Sequence, residues 1–127
     1  METARFTYPK TEKLKSRHII GSMFSEGKSV SKYPLRLVYV PIDESNAGPM
    51  QMGVSVSKKY FKKAHDRNYF KRLLRETYRH HKHIITSKLD RPYAFMFFYQ
   101  TKERLTFEEI NTKTIQLFEK FAALDNL

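Results

Sequence analysis

The chain has 127 residues, enough for one domain built around a single hydrophobic core. Hydrophobic residues make up 40% of it, with ten Phe and eight Tyr, which argues for a packed interior and against disorder. Twenty-four Lys and Arg against thirteen Asp and Glu leave a net charge of +11, so the expected partner is anionic, and the absence of cysteine excludes disulfides, thiolate metal sites and a cysteine nucleophile.

The first fifteen residues, METARFTYPKTEKLK, are polar, carry Pro9 and hold no apolar segment of the kind a secretory signal needs. They are expected as an extended or mobile lead-in to one domain spanning 1–127. Ser16 is placed to cap a short helix through about Glu26, with Gly27 to end it. Ile20, Met23 and Phe24 follow the i, i+3, i+4 spacing of its apolar face.

Leu35 to Ile42, LRLVYVPI, is rich in β-branched and aromatic residues and predicts a strand. A turn-rich loop, Asp43 to Pro49, leads to Gln51–Ser57, where Met52, Val54 and Val56 alternate with Gly53, Ser55 and Ser57. That period of two predicts a half-buried strand, and the two strands could pair as an antiparallel hairpin. A long helix is expected from about Lys63 to Ile84, then a strand YAFMFFY apolar enough to be covered on both faces. Thr106 and Glu109 have capping-box spacing for a last helix to about Leu124, with Phe107, Ile110, Leu117, Phe118 and Phe121 toward the core. The order is αββαβα, an α+β fold with helices packed on one layer of sheet.

On a helical wheel, Phe70, Leu73, Leu74, Thr77 and Tyr78 gather on one side of the long helix. Arg67, Asn68, Lys71, Arg72, Arg75 and Arg79 are placed on the other, with Glu76 at the margin. Lys58 to Arg91 holds twelve of the twenty-four Lys and Arg but three of the thirteen acids. A face selected only for solubility would mix signs, whereas like charges at i, i+4 cost helix stability, so an outside anion is expected to offset the repulsion. Phosphates fit: arginine offers paired planar donors, Asn68 can bond base edges and ribose hydroxyls, and Lys58, Lys59, Lys62 and Lys63 extend the potential. A membrane-surface helix needs a free apolar face, and this one is already required to cover the sheet. The longest apolar run, Tyr93 to Tyr99, is also far short of the roughly 18 residues of a span, and a soluble protein of the cytosol is expected. A major-groove DNA reader usually pairs its helix with a short helix and tight turn; here a strand precedes it.

Nuclease chemistry by the chain itself would need clustered carboxylates or a His pair, and the acids are scattered, so no catalytic residue is assigned. His80, His81 and His83 are the best metal candidates, but a polar helix end that suits cations at the C-terminal dipole is the stronger reading, and no metal site is assigned.

The string GVSVSKK, a basic linker and RNYFKRLLRETYR, preceded by EKLKSRHIIGSMFSEGKSV and LRLVYV, resembles the protein subunit of bacterial ribonuclease P over roughly Tyr8 to Phe98. The combination is specific, although any one piece alone is weak. Two departures stand out: Tyr69 occupies the last position of the family's Arg-Asn-Arg motif, and the linker YFKKAHD lacks a glycine common in many members. The resemblance implies a left-handed βαβ crossover, against the usual right-handed rule. It also implies an RNA-binding subunit, with one protein per RNA, that helps a catalytic RNA cut the 5′ leader from precursor tRNA, with Mg²⁺ held by the RNA. The helix face would dock on that RNA, and a cleft between sheet and first helix would hold the leader, at positions matched by Ile20, Phe24 and Tyr39. The alternative is a ribosome-associated or structural RNA-binding protein without a role in cleavage.

Overall fold

The computed structural model describes residues 13–14, 16–42 and 50–124. The expected lead-in up to residue 12, the loop 43–49 and the tail 125–127 lie outside the described residues. The elements run α1 (Arg17–Glu26), β1 (Lys28–Lys32), β2 (Leu35–Pro41), β3 (Met50–Val56), α2 (Ala64–Thr86), β4 (Tyr93–Tyr99) and α3 (Phe107–Ala122). The α+β class and the six expected elements are present. The sequence order αββαβα lacked β1, whose KSVSK buries one residue, Val30, and so carries almost no apolar period.

The strand order is β1-β2-β4-β3. β2 and β3 do not form the expected hairpin. β4 lies between them, antiparallel to β2 and parallel to β3, with Phe95 opposite both Tyr39 and Met52. A strand apolar on both faces is stabilised most at the centre of a sheet, and YAFMFFY takes that place. β3, α2 and β4 therefore form a βαβ unit.

Alternation along the strands separates two apolar layers. Leu35, Leu37, Tyr39, Met52, Phe95, Phe97 and Tyr99 face the side covered by α2 and α3. Val38, Val40, Ala94 and Met96 face α1 through Ile19 and Met23. The expected core residues Ile110, Leu117, Phe118 and Phe121 are fully buried, while Phe107 is 40% exposed. Phe107 opens the first turn of α3, where the helix has not yet met the core.

Caps set the helix positions. Ser16 Oγ accepts the Ile19 N–H at 3.2 Å. Thr106 and Glu109 form a reciprocal capping box at 2.9 and 3.1 Å. Gly27 ends α1 with ordinary negative φ, so it is present for space and not for backbone freedom. A Cβ there would stand 2.4 Å from the Met23 carbonyl oxygen and 3.0 Å from Val38 Cγ1. Gly27→Ala should force α1 to shift off the sheet and destabilise the fold by about 1–3 kcal/mol in urea unfolding; wild-type stability would show that the α1–β1 connection has slack.

Candidate nucleic-acid interface

α2 presses Phe70, Leu74, Thr77, Tyr78 and Ile85 inward. Thr114 on α3 donates to Thr77 Oγ1 at 3.1 Å, and His81 meets Asn111 at 2.8 Å, which locks the azimuth of α2 against α3. Asn68, Arg72, Arg75 and Arg79 then follow one another at i, i+4, i+7 and i+11, a straight stripe about 16 Å long on the outward side. Asn68, Arg72 and Arg75 are exposed, and among the described residues their side chains make no hydrogen bond or ion pair.

Arg67 does not belong to this stripe. It lies seven residues before Leu74 and eleven before Tyr78, so it shares the azimuth of the buried face. Its Nη1 donates to the carbonyls of Phe61 at 2.9 Å and Lys62 at 2.8 Å, holding the connection from β3 against the first turn of α2. Lys71, one turn further, is half-buried for the same geometric reason. The wheel grouping that set both with the outer cations is corrected accordingly. The stapled connection exposes Lys58, Lys59, Lys62 and Lys63. Lys59 Nζ stands 5.5 Å from the centre of the Tyr60 ring.

The acids of α2 are bonded to cations other than Arg72 and Arg75. Asp66 meets Arg104 at 3.2 Å. Glu76 accepts from Arg79 at 2.6 Å and lies 3.1 Å from His80, and the Arg79 and His80 hydrogen bonds hold its carboxyl below the usual carboxylate range. Arg79 is thus the one member of the stripe with a carboxylate partner. Tyr69 is 40% exposed, with its ring at 88° to Phe70 and 5.0 Å away. Among the described residues no three His, Asp or Glu side chains converge as metal ligands.

On the opposite face of the sheet, Ile20, Met23 and Phe24 of α1 line a hollow with Val38, Met96 and Phe98. Phe24 is 78% exposed. A separate cavity of about 440 Å³ beside α1 is lined by Ser16, His18, Ile19, Ser22, Val40 and Gln51. Gln51 Oε1 is buried there without a hydrogen-bond partner. Tyr39, matched to a cleft position in the sequence, is not in this crevice. It points to the α2–α3 side, packed edge-on at 5.0 Å against Phe121, and burial raises the pKa of its hydroxyl. Its neighbours Val38 and Val40 face α1, because one step along a strand changes faces. Val38, Met96 and Phe98 were not singled out from the sequence, although strict alternation along β2 and β4 would have given them once one cleft residue was placed.

A family model described as Ribonuclease P matches residues 8–122. A ribonuclease P protein component of Porphyromonas gingivalis is 45% identical over 86 residues, 68% of this chain and 63% of that relative. One from Legionella pneumophila is 33% identical over 75 residues, 59% of this chain and 63% of that relative. The chain therefore aligns with less than two thirds of these relatives' length. The solved Staphylococcus aureus RNase P protein superposes with a TM-score of 0.70 at 22% identity, covering 91% of this chain and 98% of that one. The Thermotoga maritima RNase P protein gives 0.69 at 24%, covering 86% and 96%. At these identities the superpositions speak to the fold.

The two kinds of arginine separate by experiment. Arg67→Ala leaves two carbonyls without their charged donor and should lower unfolding stability by about 1–3 kcal/mol. Arg72→Ala, on the open stripe, should stay within about 0.5 kcal/mol of wild type. Equal effects in chemical denaturation would contradict the division.

Proposed function

The chain belongs to the ribonuclease P protein family, and from that premise we propose that it is the RNA-binding protein subunit that assists a catalytic RNA in removing the 5′ leader of precursor tRNA. The observation that carries this reading is the stripe of Asn68, Arg72 and Arg75, open to solvent and, among the described residues, without a carboxylate partner, Asp66 being bonded to Arg104 and Glu76 to Arg79 and His80. With Lys58, Lys62 and Lys63 it supplies a continuous cationic surface for a phosphate backbone, and Asn68 adds a group able to donate to and accept from ribose or base. Arginine suits this because its planar donor pair matches two phosphate oxygens. Lys59 and Lys71 add positive charge at the borders. Arg79 joins by exchanging its carboxylate partner for phosphate, and Arg67 contributes by fixing the lysine-bearing connection.

The leader is assigned to the crevice on the other sheet face. Phe24 and Ile20 there offer apolar surface on which unpaired bases can stack or pack, a contact worth about 1–3 kcal/mol per base where an aromatic ring is used. The chain's own residues bind and orient; hydrolysis and its Mg²⁺ are assigned to the RNA.

Reconstitution tests the proposal. With cognate RNA subunit and precursor tRNA at low Mg²⁺, added protein should restore cleavage, and protein freed of RNA should cleave nothing. Tight RNA binding with no gain in cleavage would instead favour a structural RNA-binding role. Arg72→Ala and Arg75→Ala should each weaken docking to the RNA subunit about 5- to 100-fold while the fold stays intact, in line with the loss of one charge-assisted contact. If about six phosphates are engaged, log K against log salt should slope near −4 to −5. A response flat in salt would remove the phosphate argument.

A further inference from the structure

At the start of α2, the loop between β4 and α3 brings in a cation that lies more than thirty residues away in the chain. Arg104 stacks its guanidinium among three rings, 5.2 Å from the centre of Phe70, 5.8 Å from Tyr69 and 5.9 Å from Phe61. Its backbone is held on both sides by a buried hydroxyl: Tyr99 donates to the Glu103 carbonyl and accepts the Leu105 N–H at 3.1 Å. Tyr99 is itself stacked on Phe70 at 4.7 Å, and Phe70 on Phe61 at 4.7 Å. The guanidinium is thus pre-positioned, yet 56% of the side chain is exposed. Asp66 engages Nη1 alone, and among the described residues the other donors meet no acceptor. Tyr69 completes the pair: its ring is 40% exposed, and its hydroxyl has no hydrogen-bond partner among the described residues.

A brace that only tied the loop to α2 would not need an aromatic ring open to solvent or donors left unused. An exposed ring beside a fixed guanidinium is the arrangement that takes an unpaired nucleotide, the base stacking on the ring and the phosphate meeting the free N–H pair. We propose that Tyr69 and Arg104 form an accessory nucleotide site for an unpaired ribonucleotide of the RNA subunit. This inference rests on the reading of the stripe as an RNA-docking face. The RNA subunit is favoured over the leader as the source, because the crevice lined by Phe24 opens on the opposite face of the sheet.

The test is equilibrium binding of the cognate RNA subunit across a range of salt concentrations, with thermal unfolding of each variant measured alongside. Arg104→Ala should bring the slope of log K against log salt closer to zero by about 0.7 to 0.9, the loss of one phosphate contact. Arg104→Lys should retain the wild-type slope. Tyr69→Leu should weaken binding about 5- to 100-fold with the slope unchanged, because stacking releases no counterions. A lowered melting temperature in Arg104→Ala with wild-type affinity and slope would make Arg104 a brace only and overturn the site. Wild-type binding by Tyr69→Leu, which depends on no guanidinium, would do the same even if Arg104→Ala failed to fold. Should the variants lose affinity only for leader-bearing precursor on the assembled holoenzyme, the assignment to the RNA subunit falls. Failure of the wild-type protein to bind the RNA subunit would sink the docking reading along with this one, whereas normal wild-type binding with silent variants sinks this one alone.

Discussion

The burial of one side of α2 governs where every charge on it can go. Phe70, Leu74, Tyr78 and Ile85 are fully removed from solvent between the sheet and α3, and burial of such side chains is worth about 1.5–3 kcal/mol each. Repulsion between like charges at i, i+4 costs about 0.2–0.5 kcal/mol per pair. The apolar term is several times larger, so the helix takes the azimuth that packs best and the cations occupy what remains. That outcome yields a straight row of Asn68, Arg72, Arg75 and Arg79 without any interaction that holds the row together. The repulsion stays as a standing cost that a bound polyanion would relieve.

The same constraint explains what was readable in the sequence and what was not. The long helix, its apolar stripe, β2, β3, β4, the Ser16 cap and the Thr106 capping box follow from periodicity and cap chemistry that act over a few residues. β1 escaped because an edge strand with one buried residue has no pattern to detect. The position of β4 between β2 and β3 depends on which strand most needs two covered faces, a comparison across the whole chain. Arg67 has the charge of the outer face but the azimuth of the inner one, since its spacing to Leu74 and Tyr78 sets it on the buried side. The wheel records direction but not where the sheet ends. Just past that edge, an inward arginine can find backbone carbonyls instead of an apolar core. The Tyr69–Arg104 pair had no local signal at all, since its two halves meet only when β4 returns beside the start of α2.

The candidate surfaces lie on opposite sides of one sheet, and β-strand alternation is what keeps them apart. Leu37 and Tyr39 belong to the layer under α2 and α3, while Val38 and Val40 belong to the layer under α1. A family match that is right in segment and wrong by one residue therefore moves a side chain from one layer to the other. Tyr39 shows this: an aromatic expected in the cleft is instead a core ring against Phe121, and the cleft position beside it is aliphatic. In this chain aromatic character in the crevice comes from Phe24 and Phe98 at its rim, with methionine at its floor.

Net charge alone overstates the surface available to an anion. Arg67 is spent on two carbonyls, Arg79 on Glu76, and Lys120 on the Ser31 carbonyl at 2.9 Å. Cations committed this way already have acceptors, so moving them to phosphate replaces one contact with another and gains less. Arg72 and Arg75 begin unpaired, and each phosphate contact they form is a net addition. Affinity for RNA should therefore be concentrated in fewer residues than the composition suggests. Those residues sit where the packing of α2 has left guanidinium groups without protein partners.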